Sequence, residues 1–172
     1  MNIVLTGFMG TGKSVVGKIL AKKLKIGYID IDEVIERKEK KKIFGIFETK
    51  GEEYFRQKES QIIKEISKWD DYVISTGGGA ILKEENLSAL KSNGFIVCLW
   101  AKPGTILKRT SKKNTRPLLK GEKNRKKRIE ELLKMRQPYY EKADLKIETS
   151  NLSPEEIAEK ILRVLKDEYN YY

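Results

Sequence analysis

Residues 7–14 read GFMGTGKS. The octet fits the spacing G-x-x-x-x-G-K-[ST]. It stands between an apolar run, NIVLT (2–6), and a segment from Lys13 to Leu24 in which Val16, Ile19, Leu20 and Leu24 recur near helical spacing. A buried strand, a glycine loop and a helix in that order is the context in which such a loop cradles phosphate. Its glycines let backbone N–H groups curl around phosphate oxygens, and the helix N-terminus adds partial positive charge. Lys13 can reach the β- and γ-phosphates of a nucleotide, and Ser14 can supply an oxygen to Mg²⁺.

The strand–helix alternation continues along the chain. IGYID (26–30), DYVIST (71–76), FIVCLW (95–100) and LKIET (145–149) read as strands. Helical patterns cover 33–40, 52–67, 83–91 and 125–141, with Pro103 placed for the first turn of another helix and Ser153 capping a final one with Glu156 three residues on. Segment 111–124 has little apolar periodicity and reads as a loop. The pattern predicts an α/β fold, a parallel sheet with helices on both faces, and ligands gathered at the carboxyl ends of the strands. The residues following strands one, two and three should therefore meet.

Composition narrows the chemistry. The 172 residues suit one domain with a core of its own, and there is no histidine. A histidine base, a histidine zinc ligand and a Ser–His pair are all excluded, so acid–base work falls to carboxylates, lysine or tyrosine. The single cysteine, Cys98, rules out an internal disulfide and fits a reducing compartment. No stretch approaches a membrane span, and the N-terminus lacks the charged and apolar regions of a signal peptide. Lysine and arginine exceed aspartate and glutamate by 36 − 25 = 11, which favours anionic partners.

Two further stretches sit at predicted strand ends. In DID (30–32) the two carboxylates, two residues apart on a strand, share a face and can enter one site; alternatively Asp32 caps a helix starting at Glu33. In TGGGA (76–80) three glycines either make a tight turn or bring the main chain close to a ligand. Strand three ends without an acid, leaving Ser75 or Thr76 to serve the metal's surroundings. Three arginines complete the set. Arg56 can pair on the surface with Glu52 and Glu59. Arg136 has no acid at i±3 or i±4. Arg116 stands in NTRPLL, where exposed Leu118 and Leu119 would be explained by a closing lid. The arginine fork suits a carboxylate.

In this ordered combination the chain resembles the shikimate kinases. GFMGTGKS resembles their phosphate loop, YIDID their D-x-D element, and TGGGA their glycine triplet. Phe47, Gly51, Glu52, Phe55, Arg56 and Glu59 match F-x-x-x-G-E-x-x-F-R-x-x-E; Arg109–Thr110 and 116–119 resemble the nucleotide and lid segments; and Arg136, Pro138 and Tyr140 approximate R-x-P-x-Y-x-x-x-A, the alanine falling one residue short at Ala143.

The resemblance implies a single P-loop kinase domain over 1–172, with a five-stranded parallel sheet, a substrate region at 32–62 and a mobile lid at 111–124. It implies transfer of phosphate from ATP to the 3-hydroxyl of shikimate, in aromatic amino-acid synthesis, by a cytoplasmic monomer that binds neither nucleic acid nor membrane. Gly10, Thr11, Gly12, Lys13, Ser14, Val15, Arg109 and Arg116 would hold the nucleotide, with Ser14 and Asp30 toward Mg²⁺. Asp32, Phe47, Phe55, Arg56, Gly77, Gly78, Gly79 and Arg136 would bind shikimate, Glu59 orienting Arg56. Lys13, Asp32 and Arg116 would carry the chemistry.

The nearest rival is a kinase of another carboxylated polyol such as gluconate, and the absence of histidine speaks against it. A nucleoside monophosphate kinase is disfavoured because two arginines and a glycine triplet suit a small carboxylate better than a base. The net charge permits a nucleic-acid-binding module, but no such motif occurs. A GTPase lacks its N-K-x-D element here.

Overall fold

The computed structural model describes residues 1–111, 117–119 and 124–169. Five strands form one parallel sheet in the order β2-β3-β1-β4-β5: β1 Asn2–Thr6, β2 Gly27–Asp30, β3 Tyr72–Ser75, β4 Gly94–Trp100 and β5 Leu145–Glu148. β1 lies at the centre, between β3 and β4, and every one of its residues is buried. That is why its sequence is a continuous apolar run rather than an alternation.

Side chains alternate between two cores. Ile3 and Leu5 of β1, with Val73, Phe95, Val97 and Leu99, pack against α1 (Lys13–Leu24) and α7 (Pro154–Tyr169). Val4, Ile74, Ile96 and Cys98 face the other way, into a larger core with α2 (Ile31–Glu39), α3 (Ile43–Ile66), α4 (Glu84–Lys91), α5 (Pro103–Thr110) and α6 (Arg125–Tyr140). The sheet thus carries helices on both faces, as the alternation predicts. Every expected strand is present to within a residue or two. The final helix has its capping box: the Ser153 N–H and hydroxyl both reach Glu156 at 2.8 Å, and the Glu156 N–H returns to the serine hydroxyl.

Two boundaries differ. The helix after β2 begins at Ile31, not Glu33, because the Asp30 carboxylate accepts from the N–H groups of Asp32 and Glu33. Asp30 is therefore the cap, and Asp32 belongs to the first helical turn rather than to the strand. α3 is also longer than its periodicity suggests. It starts at Ile43 and is broken at Gly51, whose φ of 79° is open to glycine at little steric cost.

Of the segment 111–124, the described part includes a short 3₁₀ turn, Pro117–Leu119. Leu119 is buried in the larger core and Leu118 packs against it. These two leucines are apolar because they are covered, which revises the expectation that they are exposed. Arg116 lies outside the described residues.

Candidate active site

The C-terminal ends of β1, β2 and β3 converge, as the topology requires where strand order reverses beside β1. Residues 7–12 wrap from β1 into α1. Gly7 is the position that most demands glycine. Its φ is 129°, and a Cβ there would lie 2.0 Å from the Leu99 carbonyl oxygen of β4. Gly10 and Gly12 also have positive φ, 78° and 98°, a backbone conformation that glycine adopts without steric cost. The buried Thr11 hydroxyl donates to the Phe8 carbonyl at 2.8 Å and fixes the loop from within. The Lys13 ammonium donates to the Gly7 and Phe8 carbonyls at 2.8 and 2.9 Å, which holds it across the loop.

Beside this loop lies a cavity of about 240 Å³ lined by Met9, Gly10, Gly12, Lys13, Ser14, Val15, Asp30, Asp32, Ser75, Thr76, Gly77 and Gly78. Val15, half exposed, forms part of its rim. The Ser14 hydroxyl donates to Asp30 Oδ2 at 3.0 Å, and the Tyr28 hydroxyl approaches the same oxygen at 3.3 Å. Burial and the Asp30 charge push the Tyr28 phenol up to about 12. Sequence reading missed Tyr28, although it precedes Asp30 by two residues on the same strand face. Ser75 stands opposite Asp30 in the β2–β3 register, while the Thr76 hydroxyl is committed to the Leu5 carbonyl at 3.2 Å. The Ser75 side chain in turn interacts with the Tyr28 phenol, so both hydroxyls already have a local contact.

The three glycines have a plain geometric reason. A Cβ on Gly77 would fall 2.7 Å from Glu59 Oε1 and 3.2 Å from Asp32 Oδ1. On Gly78 it would fall 3.1 Å from the Gly7 carbonyl and 3.2 Å from Arg136 Nη1. On Gly79 it would meet the Arg56 guanidinium at 2.6–2.8 Å. Each glycine leaves room for a different charged side chain, so Asp32, Glu59, Arg56 and Arg136, from three helices, gather over one bare stretch of backbone.

Arg56 does pair with Glu52 and Glu59, at 3.1 and 2.8 Å, but not on the surface. Its side chain is 14% exposed and that of Glu59 not at all. Burial raises the Glu59 pKa against the pull of Arg56 and Arg136. Burial also opposes the charge on Arg56, but the two glutamates outweigh it and the net shift is upward. Arg136 is buried over the Phe8 ring, 5.3 Å from its centroid. No carboxylate among the described residues lies within ion-pair distance of it, and its Nε is without a hydrogen-bond partner there. A buried guanidinium in that state has donor capacity to offer an anion. Phe55 lies under Arg56, 5.1 Å from ring centroid to guanidinium, and Phe47 stacks obliquely on Phe55 at 5.0 Å.

Arg109 is tied to the far side of the phosphate loop. Its guanidinium donates to the Gly10 carbonyl at 3.2 Å and to the Thr149 hydroxyl and carbonyl at 3.1 and 2.8 Å.

A phosphate-loop sequence between β1 and α1, with Lys13, Ser14, Asp30 and Asp32 around one cavity and two arginines against the adjoining glycine run, gives the chain the framework of a P-loop kinase. The shikimate kinase family model matches residues 9–166, and the chain belongs to the shikimate kinase family. It is 50% identical over 162 residues to a shikimate kinase of Thermodesulfovibrio yellowstonii, spanning 94% of this chain and 93% of the relative. It is 48% identical over 164 residues to one of Caldicellulosiruptor saccharolyticus, with 95% and 94% covered. A shikimate kinase of Acinetobacter baumannii, solved in complex with shikimate, superposes with a TM-score of 0.93 at 38% identity, over 98% of this chain and 94% of that one.

Proposed function

We propose that this chain transfers the γ-phosphoryl group of ATP to the 3-hydroxyl of shikimate, and that the cleft between the phosphate loop and Gly77–Gly79 is where it does so. The observation that carries the site assignment is the convergence of Arg56, Arg136 and Asp32 on those glycines, two of which line one cavity with Asp32 and Lys13.

The acceptor's carboxylate enters between Arg56 and Arg136. Glu59 has already fixed Arg56, so little side-chain freedom is lost when the anion binds. Asp32 stands toward the cleft beside Gly77, placed to accept the proton of the attacking hydroxyl. The Gly77–Gly79 main chain offers polar groups to the ring hydroxyls, with Phe47 and Phe55 behind the arginine.

On the nucleotide side, Gly10, Thr11, Gly12, Ser14 and Val15 give the backbone cradle for the phosphates. Lys13 moves from its loop carbonyls to the transferring group, and Arg109, anchored at Thr149, walls the base site. Arg116 is assigned to the same phosphoryl group on sequence grounds alone. Phosphoryl transfer demands positioning and charge neutralisation more than covalent chemistry, which suits a site without histidine.

The oxygens of Ser14 and Asp30, 3.0 Å apart, fit Mg²⁺, a hard cation that takes one or two protein oxygens and keeps phosphate and water for the rest. When bound there, Mg²⁺ neutralises charge on the phosphates. Tyr28 holds the Asp30 carboxylate in place. The same reading includes a substrate region at 32–62, a lid at 111–124 and a monomeric cytoplasmic enzyme without nucleic-acid or membrane partners.

The test is ADP release with Mg²⁺·ATP in the presence of shikimate, gluconate, AMP or no acceptor. Release that depends on shikimate and is small with the others is expected. Release that favours gluconate, or that ignores the acceptor, would overturn the reading.

A further inference from the structure

We propose that Tyr140 is a positioning residue for the acceptor: its hydroxyl aims the Gly78–Gly79 peptide so that the Gly79 N–H faces the cleft. This rests on the site reading above, and the experiment separates the two.

Tyr140 closes α6 one turn after Arg136, on the same helical face, and is buried. Its hydroxyl donates to the Gly78 carbonyl at 2.7 Å. In a trans peptide the C=O and the following N–H point in opposite directions. A Gly78 carbonyl turned toward Tyr140 therefore turns the Gly79 N–H away from it. The neighbouring amides are used locally, Ala80 N–H by the Gly77 carbonyl and Leu82 N–H by the Gly79 carbonyl. The Gly79 N–H makes no hydrogen bond within the described residues.

Such a peptide needs an external restraint. Three successive glycines have more backbone freedom than any other tripeptide, and Gly78–Gly79 joins two of them. The chain on either side is held by the Ala80 N–H on the Gly77 carbonyl at 3.1 Å and the Leu82 N–H on the Gly79 carbonyl at 3.2 Å, and a turn closed in that way accepts its central peptide in either of two orientations when glycine follows it. The phenol selects one of them. Its own orientation is fixed by burial in the larger core, and Arg136 lies beside it. The same helix thus supplies the cation for the acceptor's carboxylate and the hydroxyl that aims a main-chain donor at the rest of the molecule. Burial also pushes the Tyr140 phenol up to about 12, so it remains a donor across the working pH range.

Tyr140→Phe removes the hydroxyl and keeps the ring. Its shikimate KM is expected to rise about tenfold, with kcat within about threefold, the ATP KM unchanged and thermal unfolding within a few degrees of wild type. A lowered unfolding temperature with an unchanged shikimate KM would mean that Tyr140 only packs, and would overturn the proposal. So would equal losses for shikimate and ATP. A second measurement is the Gly79 amide resonance in ¹⁵N-glycine-labelled enzyme. Shikimate should shift it in the wild type and shift it much less in Tyr140→Phe at saturation. An equal shift in both removes Tyr140 from the role. No shift in the wild type, despite shikimate-dependent turnover, overturns the proposal and leaves the kinase assignment standing. No shikimate-dependent turnover in the wild type removes the site reading itself.

Discussion

Glu59 holds the Arg56 guanidinium at 2.8 Å from one helical turn away, and the two side chains lie over different members of one glycine run, Glu59 over Gly77 and Arg56 over Gly79. The pair is buried in a place where neither partner alone is stable. Glu59→Ala leaves Arg56 with Glu52, which is half exposed. The shikimate KM should rise at least tenfold, with a stability loss of about 3 kcal/mol, read together from kinetics and denaturant unfolding. A normal KM would show that Arg56 keeps its position unaided.

Substitutions along the glycines should separate site from fold. Gly79→Ala meets the end of a flexible arginine side chain, at 2.6 Å, with no positive φ to strain. It should fold, melt near wild type, and bind shikimate ten- to a hundredfold more weakly because Arg56 is displaced. Gly7→Ala meets the Leu99 backbone at 2.0 Å with φ at 129°. It should lose 3 kcal/mol or more of stability, about the scale of a severe steric clash, whatever ligand is present. Circular-dichroism melts of the two variants side by side check the contrast.

Arg136→Ala should raise the shikimate KM by roughly a hundredfold and leave the ATP KM within about twofold, since a charge-assisted pair to one substrate is lost. Equal effects on both substrates would place Arg136 outside the acceptor pocket. Removing a buried cation that has no carboxylate partner among the described residues should not destabilise the free enzyme, and thermal unfolding tests that as well.

Two substitutions address the transfer step. Asp32→Asn should lower kcat by at least a hundredfold with a small change in shikimate affinity. Lys13→Ala should lower kcat by about a thousandfold or more, as the charge facing the transferring group is gone. Single-turnover phosphorylation with both substrates saturating measures each. A near-normal rate in either variant removes that residue from its role.

The Tyr140 phenol gives a pH signature of its own. Its folded pKa, about 12, lies above the ordinary 10.0 because of burial. Between those values the folded state keeps a proton that the unfolded state has lost, so stability falls as pH climbs through the window and is unaffected below it. The change approaches 3 kcal/mol, about two pKa units. Tyr140→Phe should therefore flatten the loss of stability between pH 10 and 12 relative to wild type, measured by denaturant midpoints. Identical slopes would mean the phenol titrates as an ordinary one.

The phosphate loop and the five strands were legible because their signals are local. Glycine spacing identifies the loop, and unbroken apolar runs mark strands covered on both faces. Motif order supplied the arginines. The burial of the Arg56–Glu59 pair was not legible: an acid three residues from an arginine looks the same on a surface, and what covers Glu59 is a glycine run eighteen residues further on. The DID stretch was misread by two residues because its first carboxylate bonds back to the helix it caps, which no periodicity reveals. The first half of α3 was invisible for a related reason, since Gly45 and Gly51 interrupt the pattern and the break at Gly51 separates it from the half that is regular.

Gly77, Gly78 and Gly79 are a mould whose relief is formed by four side chains from elsewhere in the chain. A methyl group at any of the three positions competes with a guanidinium or a carboxylate that is already there. Single substitutions in the run therefore damage the pocket before they can reshape it, and a changed partner on α2, α3 or α6 finds no side chain on the run to take up the released space. A new acceptor specificity on this scaffold calls for simultaneous change at both ends of a contact. The pocket is coupled in this sense, whereas Val15, half exposed at the rim of the cleft, is not among the side chains that crowd the glycine run.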